Sequence, residues 1–592
     1  MASFRPLKKA SNLWRNNSLV QWSTGIPSPE DLIAVPSYLT HGDAAEAREY
    51  YTGLFRFHGE LHDTNGSSPF QLETASAQWI GKLHGFSWLR HLYQAESPMA
   101  KSNAQTMVRD WIGTCGTKTT GIAWTLEVIA NRIIAWLAHA PMIIENVDQE
   151  FYSSFLHSIT FQTRFLLLSA HSGPEGMPRL LAKIAVAYTS LCIDGLNKNS
   201  QLKQINQATN ALGKELEHQF YADGGHITRD PDAGISTALV LLPLHQLYLQ
   251  RQEEPPIQLT NALDRLLPML EFFAHPDGTI AHFNGGGRLD NNHLPTLLNT
   301  HDHSGKPPEN ATFSGYQKIQ AGKTKLLMDT GHSPANALSH NAHAGCLSFE
   351  MSSDQEIIIV NCGAPIHNQI KLAQAARSTA AHSTATLNDT SSCQFKKNYL
   401  PSSSELSLIS PPLASDIVNV PVERSSNELG EQITASHDGY LKQFGITHQR
   451  TLFMSTDGET INGSDRFINE VENNKTGSLA SIAIRFHLHP NIKTEQTDNG
   501  ISVSLTTANG EQWKFTCVDA RIEIEESVYF FPEYSQTKQI ILSTAPGYLG
   551  EVRWVFEKIH EQNPAGNRKT KTSSKSTSSD LLDIMTQNIL NK

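Results

Sequence analysis

Apolar residues recur at three- and four-residue spacing through residues 71–273. In QLETASAQWIGKLHGFSWLRHLYQ this spacing places Trp79, Leu83 and Phe86 on one face of a helix, and similar stripes recur in WTLEVIANRIIAWLAHA and LLAKIAVAYTSLCI. Short breaks that contain Gly, Pro or Asp, such as HSGPEGMP, separate the stripes. A run of helices with no intervening strands predicts an all-α domain of helical hairpins, arranged as a solenoid or as a closed ring.

The periodicity changes after the glycine-rich segment FNGGGRLDNN, residues 283–292. Segments such as CLSFEM, EIIIVN, SIAIRFHLH and QWKFTCV alternate apolar and polar positions, are rich in β-branched residues and are separated by short turns. This pattern predicts an antiparallel β domain of the sandwich type.

The two patterns suggest where the domains begin and end. A chain of 592 residues is too long for one ordinary core, so more than one domain is expected. We expect an N-terminal extension at 1–53, an all-α domain at 54–300, a β domain at 301–560 and a tail at 561–592. The tail (NRKTKTSSKSTSSD) is rich in Ser, Thr and Lys and is predicted to be disordered, although LLDIMTQNIL behind it could form a short amphipathic helix.

Charge and composition narrow the function classes. The formal net charge of -11 argues against nucleic acid as a partner, and more weakly against a polyanionic substrate, since a locally basic cleft can lie on an acidic protein. No apolar stretch is long enough for a membrane-spanning helix. The six scattered cysteines argue against a disulfide framework and fit either a reducing compartment or unpaired buried thiols. The N-terminal residues lack the apolar core of a signal peptide, which favours the cytoplasm.

Two histidines precede a predicted hairpin in SHNAHAGCLSFEMSSDQEIIIVNCG, residues 339–363. His340 and His343 stand before the first strand, and the second strand ends in Asn-Cys-Gly. Imidazoles at the edge of a buried hairpin can transfer protons, bind a metal or serve as packed polar residues. The spacing alone leaves these three alternatives open.

Several segments resemble the heparinase II/III family of polysaccharide lyases. HAGCLSFEM followed by IIIVNCG is similar to the family hairpin, in which His-Ala-Asp precedes a Ser-Phe-Glu strand and an Asp-Gly ending. RSTAAHSTATLND is similar to the family segment Arg-Thr-x-x-His-Asn-Thr, and SHDGY and RFHLHP also have counterparts. In the helical half, LHGFSWLR, NRIIAWL and ADGGHITRDP resemble the family's helices and the loop that enters its cleft. The resemblance extends from about Leu54 to about Phe556.

The resemblance implies a multidomain α+β fold, with an N-terminal (α/α) toroid followed by a C-terminal antiparallel β-sandwich and a polysaccharide in the groove between them. It also implies β-elimination at a uronic acid, in which a base removes the C5 proton and the C4 oxygen leaves. This chemistry requires a group that neutralises the uronate carboxylate and a group that protonates the leaving oxygen. Where family members hold zinc, two His and an Asp are the ligands.

The matching positions supply candidate residues. His343 corresponds to the second His of the hairpin and His382 to the His of the Arg–His segment, so both are expected in a catalytic cluster, whereas His340 is offset by one position. Arg229 and Arg377 are expected to neutralise the substrate carboxylate. The alternative for the two histidines is a structural role at strand ends.

The chain departs from the family pattern at three places. Gly345 and Asn361 stand where the family has Asp, so His343 and His382 remain as ligands for zinc or another divalent metal without a carboxylate, and we predict no metal from the sequence. In the helical half, RDPDAGIS, residues 229–236, stands where lyases of the family carry a Tyr–His pair and a nearby Asn.

Other residues could replace the missing base and acid or bind substrate. His437 and Tyr440 in SHDGY form a His–Tyr pair, although turn chemistry explains the segment equally well. The further candidates for substrate binding are Arg132, His226, Asn284 and Asn361.

The leading hypothesis is a polysaccharide lyase that cleaves a glycosaminoglycan- or alginate-like glycan. The rival hypothesis is a non-catalytic glycan-binding or envelope-biogenesis protein on the same fold, which Gly345, Asn361 and RDPDAGIS favour. A glycoside hydrolase would need two carboxylates in the cleft, for which Glu215, Glu217 and Asp232 are candidates. Localisation is in conflict, because the resemblance favours the periplasm or cell envelope. No feature of the sequence predicts an oligomeric state.

Overall fold

The computed structural model of the protein describes residues 29–560, except 73, 195–197, 290–292, 301–304, 366–369, 397–410, 414–416, 471–480, 498–499, 546 and 549. The predicted disordered tail and most of the N-terminal extension lie outside these described residues. None of the helices within them is long and apolar enough to cross a membrane.

Helices dominate the first half of the chain. Polar caps mark several starts, as the hydrophobic stripes predicted: the hydroxyl of Ser76 accepts from the N–H of Trp79, and the carboxylate of Asp148 accepts from the N–H of Phe151. The helices before residue 300 are α1 (Ala44–Tyr51), α2 (Ala77–Gly85), α3 (Leu89–Gln94), α4 (Pro98–Cys115), α5 (Leu126–Ala138), α6 (Ala140–Ile144), α7 (Gln149–Ser169), α8 (Met177–Cys192), α9 (Lys198–Gln219), α10 (Pro231–Gln250), α11 (Ile257–Phe273) and α12 (His293–Thr300).

A small β-hairpin interrupts the helical half, where only helices were expected. Strands β1 (Leu54–Phe57) and β2 (Glu60–Asp63) pair antiparallel. Phe55 and Phe57 are buried and lie against Tyr50, while Arg56 between them is exposed. The hairpin is too short to show the alternation that identifies longer strands.

Strands dominate the second half. They are β3 (Asn310–Ala311), β4 (Tyr316–Ala321), β5 (Thr324–Asp329), β6 (Phe349–Ser353), β7 (Glu356–Val360), β8 (Ala385–Leu387), β9 (Val422–Asn427), β10 (Gly430–His437), β11 (Ile446–Ser455), β12 (Thr460–Asn469), β13 (Ile482–Leu488), β14 (Lys493–Thr497), β15 (Ser502–Thr506), β16 (Gln512–Cys517), β17 (Arg521–Tyr529), β18 (Ser535–Ser543) and β19 (Glu551–Ile559). Two short helices, α13 (Ile370–Ala376) and α14 (Leu441–Phe444), lie between them.

The strands form two antiparallel sheets that share one apolar core. The eight-stranded sheet has the order β14-β15-β16-β19-β12-β11-β10-β9. The nine-stranded sheet has the order β17-β18-β13-β7-β6-β5-β4-β3, with β8 paired to β13. Inward residues of both sheets, such as Phe349, Phe486 and Trp554, pack together between the sheets. The fold class expected from the sequence, a helical toroid followed by a β-sandwich, is confirmed.

A buried charged cluster lies inside this core. Asp465 accepts hydrogen bonds from Arg450 Nε at 2.8 Å and from Trp554 Nε1 at 2.9 Å, and lies 2.7 Å from His448 Nε2. Although burial opposes ionisation, the Arg450 guanidinium lowers the pKa of the Asp465 carboxyl well below its usual range. Charged residues at inward positions break the apolar alternation, which explains why β12 was not among the strands predicted.

Arg229 joins the helical half to the sandwich. It precedes α10, and its guanidinium reaches the sandwich, where Nε donates to Ser314 O at 2.7 Å and Nη1 to His332 O at 2.9 Å. Nη2 donates to Gly315 O at 3.1 Å and forms a buried ion pair with the Asp329 carboxylate. These donors all bind atoms of the protein itself.

A glycine makes room for the contacts of the Arg229 guanidinium with the sandwich. A Cβ atom at Gly331 would lie 2.3 Å from Nη2 of Arg229. This distance is too short for any side chain at that position unless the guanidinium moves. The position of the guanidinium therefore requires glycine at residue 331.

Many histidines are buried in both halves. Burial disfavours the charged imidazolium, and it lowers the pKa of His226 to about 3 and those of His139 and His382 to about 4. The neutral form of each ring is therefore the one that the folded protein accommodates.

We expect Arg229→Leu to lower the free energy of unfolding by about 3–5 kcal/mol, because the substitution leaves the Asp329 carboxylate buried without its partner. Chemical denaturation measures this change. The matched control is Lys323→Leu, which breaks the exposed ion pair with Asp354 and should alter the free energy by less than about 1 kcal/mol. Equal losses of unfolding free energy in the two variants would show that the buried ion pair contributes no more to stability than an exposed one.

We expect the protein to lose stability as the pH falls below about 6.5, the ordinary histidine pKa. The unfolded chain takes up protons there while a histidine with a folded pKa near 4 does not, so each such residue lowers the free energy of unfolding by about 2 kcal/mol at pH 5 relative to pH 8. In His139→Gln the difference in unfolding free energy between pH 5 and pH 8 should be about 2 kcal/mol smaller than in the parent chain, as measured by chemical denaturation at both pH values. The same substitution at exposed His171 should leave the difference unchanged, and identical pH dependence in all three proteins would refute the assignment.

Candidate functional site

The two histidines matched to the lyase motifs meet in the sandwich. His343 lies in the loop between β5 and β6, and His382 lies just before β8. Nδ1 of His343 is 2.9 Å from Nε2 of His382, and the two ring centroids are 5.0 Å apart. Both side chains are buried. The structure thus brings together the pair that the sequence placed 39 residues apart.

The hydrogen bonds of this pair define its protonation. Nδ1 of His382 lies 2.7 Å from the carbonyl oxygen of Ser378, which only accepts, so this nitrogen carries the proton. Nε2 of a neutral His382 then accepts from Nδ1 of His343, which leaves the lone pair of His343 on its Nε2. Burial, followed by the neighbouring His382, lowers the pKa of His343 well below its usual value.

Two arginines fix the loops that carry the histidines. Arg377 donates to Ala342 O and Ser339 O, both at 2.8 Å, in the loop before His343. Nη1 of Arg450 donates to Leu347 O at 2.8 Å and to Ser383 O at 2.7 Å, on either side of the histidine pair. Arg377 also donates to Pro411 O at 2.9 Å, so its nitrogens are all bound to backbone carbonyls.

The residues around the pair do not fit a zinc ion. A Cβ atom at Gly345 would lie 2.8 Å from Cδ2 of His382, so the histidine ring occupies the space of a carboxylate side chain there. Asn361 Oδ1 accepts from Ser383 N at 3.1 Å, and its Nδ2 donates to Glu350 Oε1 at 3.2 Å. No group of three or more His, Cys, Asp or Glu in the described part of the chain is arranged to hold a metal.

Asn284 connects the histidine pair to the ion pair between Arg229 and Asp329. Its Nδ2 donates to Tyr316 Oη at 2.8 Å and to Asp329 Oδ2 at 3.0 Å, and its Oδ1 lies 3.4 Å from the backbone N–H of His343. Asn284, Arg229, Arg377, Asn361 and the two histidines therefore form one continuous region at the contact between the domains.

The remaining candidates lie apart from this region or serve packing. His226 lies between Gln219 Oε1 at 2.9 Å and Thr228 Oγ1 at 2.7 Å, close to Arg229 in sequence. Arg132 is in the toroid core, where it stacks 3.9 Å from the ring centroid of Trp111 and donates to Gln162 Oε1 at 2.8 Å.

The His–Tyr pair of SHDGY lies in the sandwich core. Tyr440 donates its hydroxyl to Ala385 O at 2.8 Å. His437 Nε2 lies 3.3 Å from His448 Nδ1, in the cluster around Asp465. Any catalytic role for these two residues remains a prediction.

The sequence analysis missed three charged residues that organise the region. The first, Asp329, ends β5. The second, Glu350, lies within β6, where its carboxylate accepts hydrogen bonds from Asn361 N at 2.9 Å and His282 N at 3.1 Å. The same carboxylate is 2.9 Å from His275 Nε2. An acidic residue inside a buried strand is the clue that would have identified Glu350.

The third is Arg288, the last residue of NGGGR. Its guanidinium forms an ion pair with Asp230, and its backbone N–H donates to Asp232 Oδ2 at 2.8 Å. Burial raises the pKa of Asp230 to about 7, although Arg288 opposes this rise. Glu127 of α5, which is exposed, also contributes to the raised pKa of Arg288.

Comparisons with known proteins place this geometry in a family. The model of the Heparinase II/III N-terminus matches residues 72–305, and the model described as Heparinase II/III-like, C-terminal, matches residues 303–569. FtsZ-localized protein C of Caulobacter vibrioides is 27% identical over 555 residues, which is 92% of this chain and 93% of that protein.

Solved lyase structures share the fold. Heparinase III superposes with a TM-score of 0.69 at 15% identity, over 94% of this chain and 92% of its own. A mutant of the heparan sulfate lyase HepC of Pedobacter heparinus gives a TM-score of 0.58 at 14% identity, over 88% of this chain and 83% of its own. Two family models that together extend from residue 72 to residue 569, and a helical toroid joined to a β-sandwich, lead to one conclusion: this chain belongs to the heparinase II/III family.

Proposed function

We propose that this chain is a family member that binds a polysaccharide without cleaving it. The observation that carries the proposal is the state of the arginines: Arg229, Arg288 and Arg377 each bind carboxylates or carbonyls of the protein itself. β-Elimination needs a group that neutralises the uronate carboxylate, and these three arginines are already engaged within the protein. The family fold supports a polysaccharide as the ligand.

The chemistry of β-elimination explains why this matters. The C5 proton of a uronate is weakly acidic, and the charge that develops on its removal must be stabilised at the carboxylate. If Arg229 turned toward a substrate, Asp329 would be left as a buried, uncompensated charge. If Arg377 turned, the carbonyls of Ser339 and Ala342 would lose their donors. Both changes oppose catalysis.

The charge near Arg288 favours a particular class of glycan. Asp230 and Asp232 already pair with the Arg288 guanidinium, and the whole chain has a formal net charge of -11. A polysaccharide that is uncharged or carries amino groups would meet less repulsion there than one dense in uronates or sulfates. The charge around Arg288 therefore supports binding of a glycan without cleavage of a uronate.

The relative named FtsZ-localized protein C suggests where such a protein would act. It aligns with this chain over nearly the full length of both, at higher identity than the lyase structures compared here. We therefore include in the proposal that this chain localises with FtsZ in a bacterial cell.

The second candidate function is a uronate lyase, and the His343–His382 pair favours it. The neutral tautomer derived above leaves a lone pair on Nε2 of His343, as a general base requires. In that mechanism the pair would remove the C5 proton, and a donor yet to be identified would protonate the C4 oxygen.

We expect the purified protein to bind polysaccharide and to form no unsaturated product. The panel contains uncharged, amino-sugar and uronate polysaccharides; affinity electrophoresis measures binding, and ultraviolet absorbance detects the C4–C5 double bond. Asn341→Trp, at an exposed position two residues before His343, should weaken binding by about tenfold, while exposed Ser425→Trp on β9 should not change it.

An absorbance rise that disappears in His343→Ala and persists in His340→Ala would refute the proposal and establish the lyase. The absence of any retardation on the whole panel would refute glycan binding itself.

We also expect a fluorescent fusion of the full chain to concentrate at the midcell of a dividing bacterium and to disperse when FtsZ is depleted. Live-cell microscopy measures the midcell fraction, and a fusion of Arg229→Leu, controlled for protein level, tests whether the intact fold is required. A uniform distribution in cells that contain FtsZ would contradict the proposed localisation with FtsZ and would leave the glycan-binding proposal unaffected.

A further inference from the structure

The nine-stranded sheet ends in a long, open edge. β17 pairs on one side with β18 along its whole length, from Arg521 to Tyr529. On the other side no strand pairs with it among the described residues, where Gln496 Nε2 donates to Ile522 O at 3.4 Å. Open edges present backbone N–H and C=O groups that can bind another segment of chain.

This edge is acidic. β17 contains Glu523, Glu525 and Glu526, and its basic residue Arg521 forms an ion pair with Glu523 at 3.2 Å. Glu525 and Glu526 are exposed. The edge therefore carries two solvent-facing carboxylates within a strand that offers backbone groups on one side.

Exposed apolar side chains lie beside the start of this edge. Val518 precedes β17 by three residues and is 55% exposed, and Ile501 is 47% exposed. The N–H of Cys517 donates to Ile501 O at 3.1 Å, which places Ile501 next to Val518. A partner for this surface should combine basic and apolar residues.

The C-terminal tail of this chain has that composition. Residues 568–575 (RKTKTSSK) contain four basic residues and no acidic one, and LLDIM follows at 581–585. Lys569 and Lys571 alternate with threonines, the spacing at which side chains of an edge strand such as β17 share a face.

The tail also starts close enough to reach. β19 ends at Ile559, which pairs with Gln512 at one end of β16, while Cys517 at the other end leads into β17. The distance to the start of β17 is roughly the length of β16, about 20 Å, and the ten residues from 560 to 569 can extend over roughly 30 Å, which leaves about 10 Å to follow β17.

We propose that the tail, residues 561–592, binds within the same molecule along the acidic edge of β17. Lys569 and Lys571 bind Glu523 and Glu525, which are two residues apart and share the face of β17 opposite to buried Ile522. The apolar segment at 581–585 covers Ile501 and Val518. Binding there closes the open edge against association with other chains.

Hydrogen exchange of the full-length protein tests the proposal. Backbone amides of residues 521–529 that face away from β18 should exchange about fivefold faster in Lys569→Glu/Lys571→Glu than in the parent chain. Glu523→Lys/Glu525→Lys should give the same acceleration. The four substitutions combined should restore slow exchange, because the opposite charges meet again, and restoration would show that the variants fold.

The matched control is Glu423→Lys/Glu428→Lys, which reverses two exposed carboxylates at the β9 edge of the other sheet and should leave β17 unchanged. Protection should be independent of protein concentration. Concentration-dependent protection would assign the occupant to a second copy and overturn binding within one molecule, as would equal exchange in the parent and both paired reversals.

Discussion

The ion pair between Arg229 and Asp329 is the constraint on which the contact between the two halves depends. The guanidinium belongs to the loop before α10, whereas its carboxylate and carbonyl partners belong to the sandwich. A buried charge must keep its partners, so the two halves cannot separate locally without stranding one of them. Asn284 links this pair to the loop of His343, and through it the histidine pair is held by the same contact.

The same constraint explains why a lyase fold need not imply lyase chemistry. An arginine that holds domains together is not free to hold a substrate, and the stronger its internal bonds, the greater the loss on turning outward. Arg377 illustrates this, because its donors organise the loop that carries His343. In this region Arg229, Arg288 and Arg377 all bind carboxylates or carbonyls of the protein itself.

The sequence predicted the fold well and the site partly, and the difference has a physical basis. Helical stripes and alternating strands arise from burial, which periodicity records directly, so an all-α half and a β-sandwich were predicted from the pattern. The closed ring of helices and the proximity of His343 and His382 were expected only from the family resemblance. β12 was missed because Asp465 points inward. The partners of Arg229 and Arg377 were not predictable, since backbone carbonyls have no sequence signature and Asp329 is 100 residues away from Arg229.

Gly345 has a consequence for how this branch of the family could change. The ring of His382 occupies the space that a side chain at 345 would need. An aspartate restored at 345 would therefore displace His382 before it could assist it, and an aspartate at 361 would face the Glu350 carboxylate across a position now bridged by an amide. A carboxylate at either position alone would therefore disturb its neighbours without completing a metal site, so both positions and the packing around His382 would have to change together.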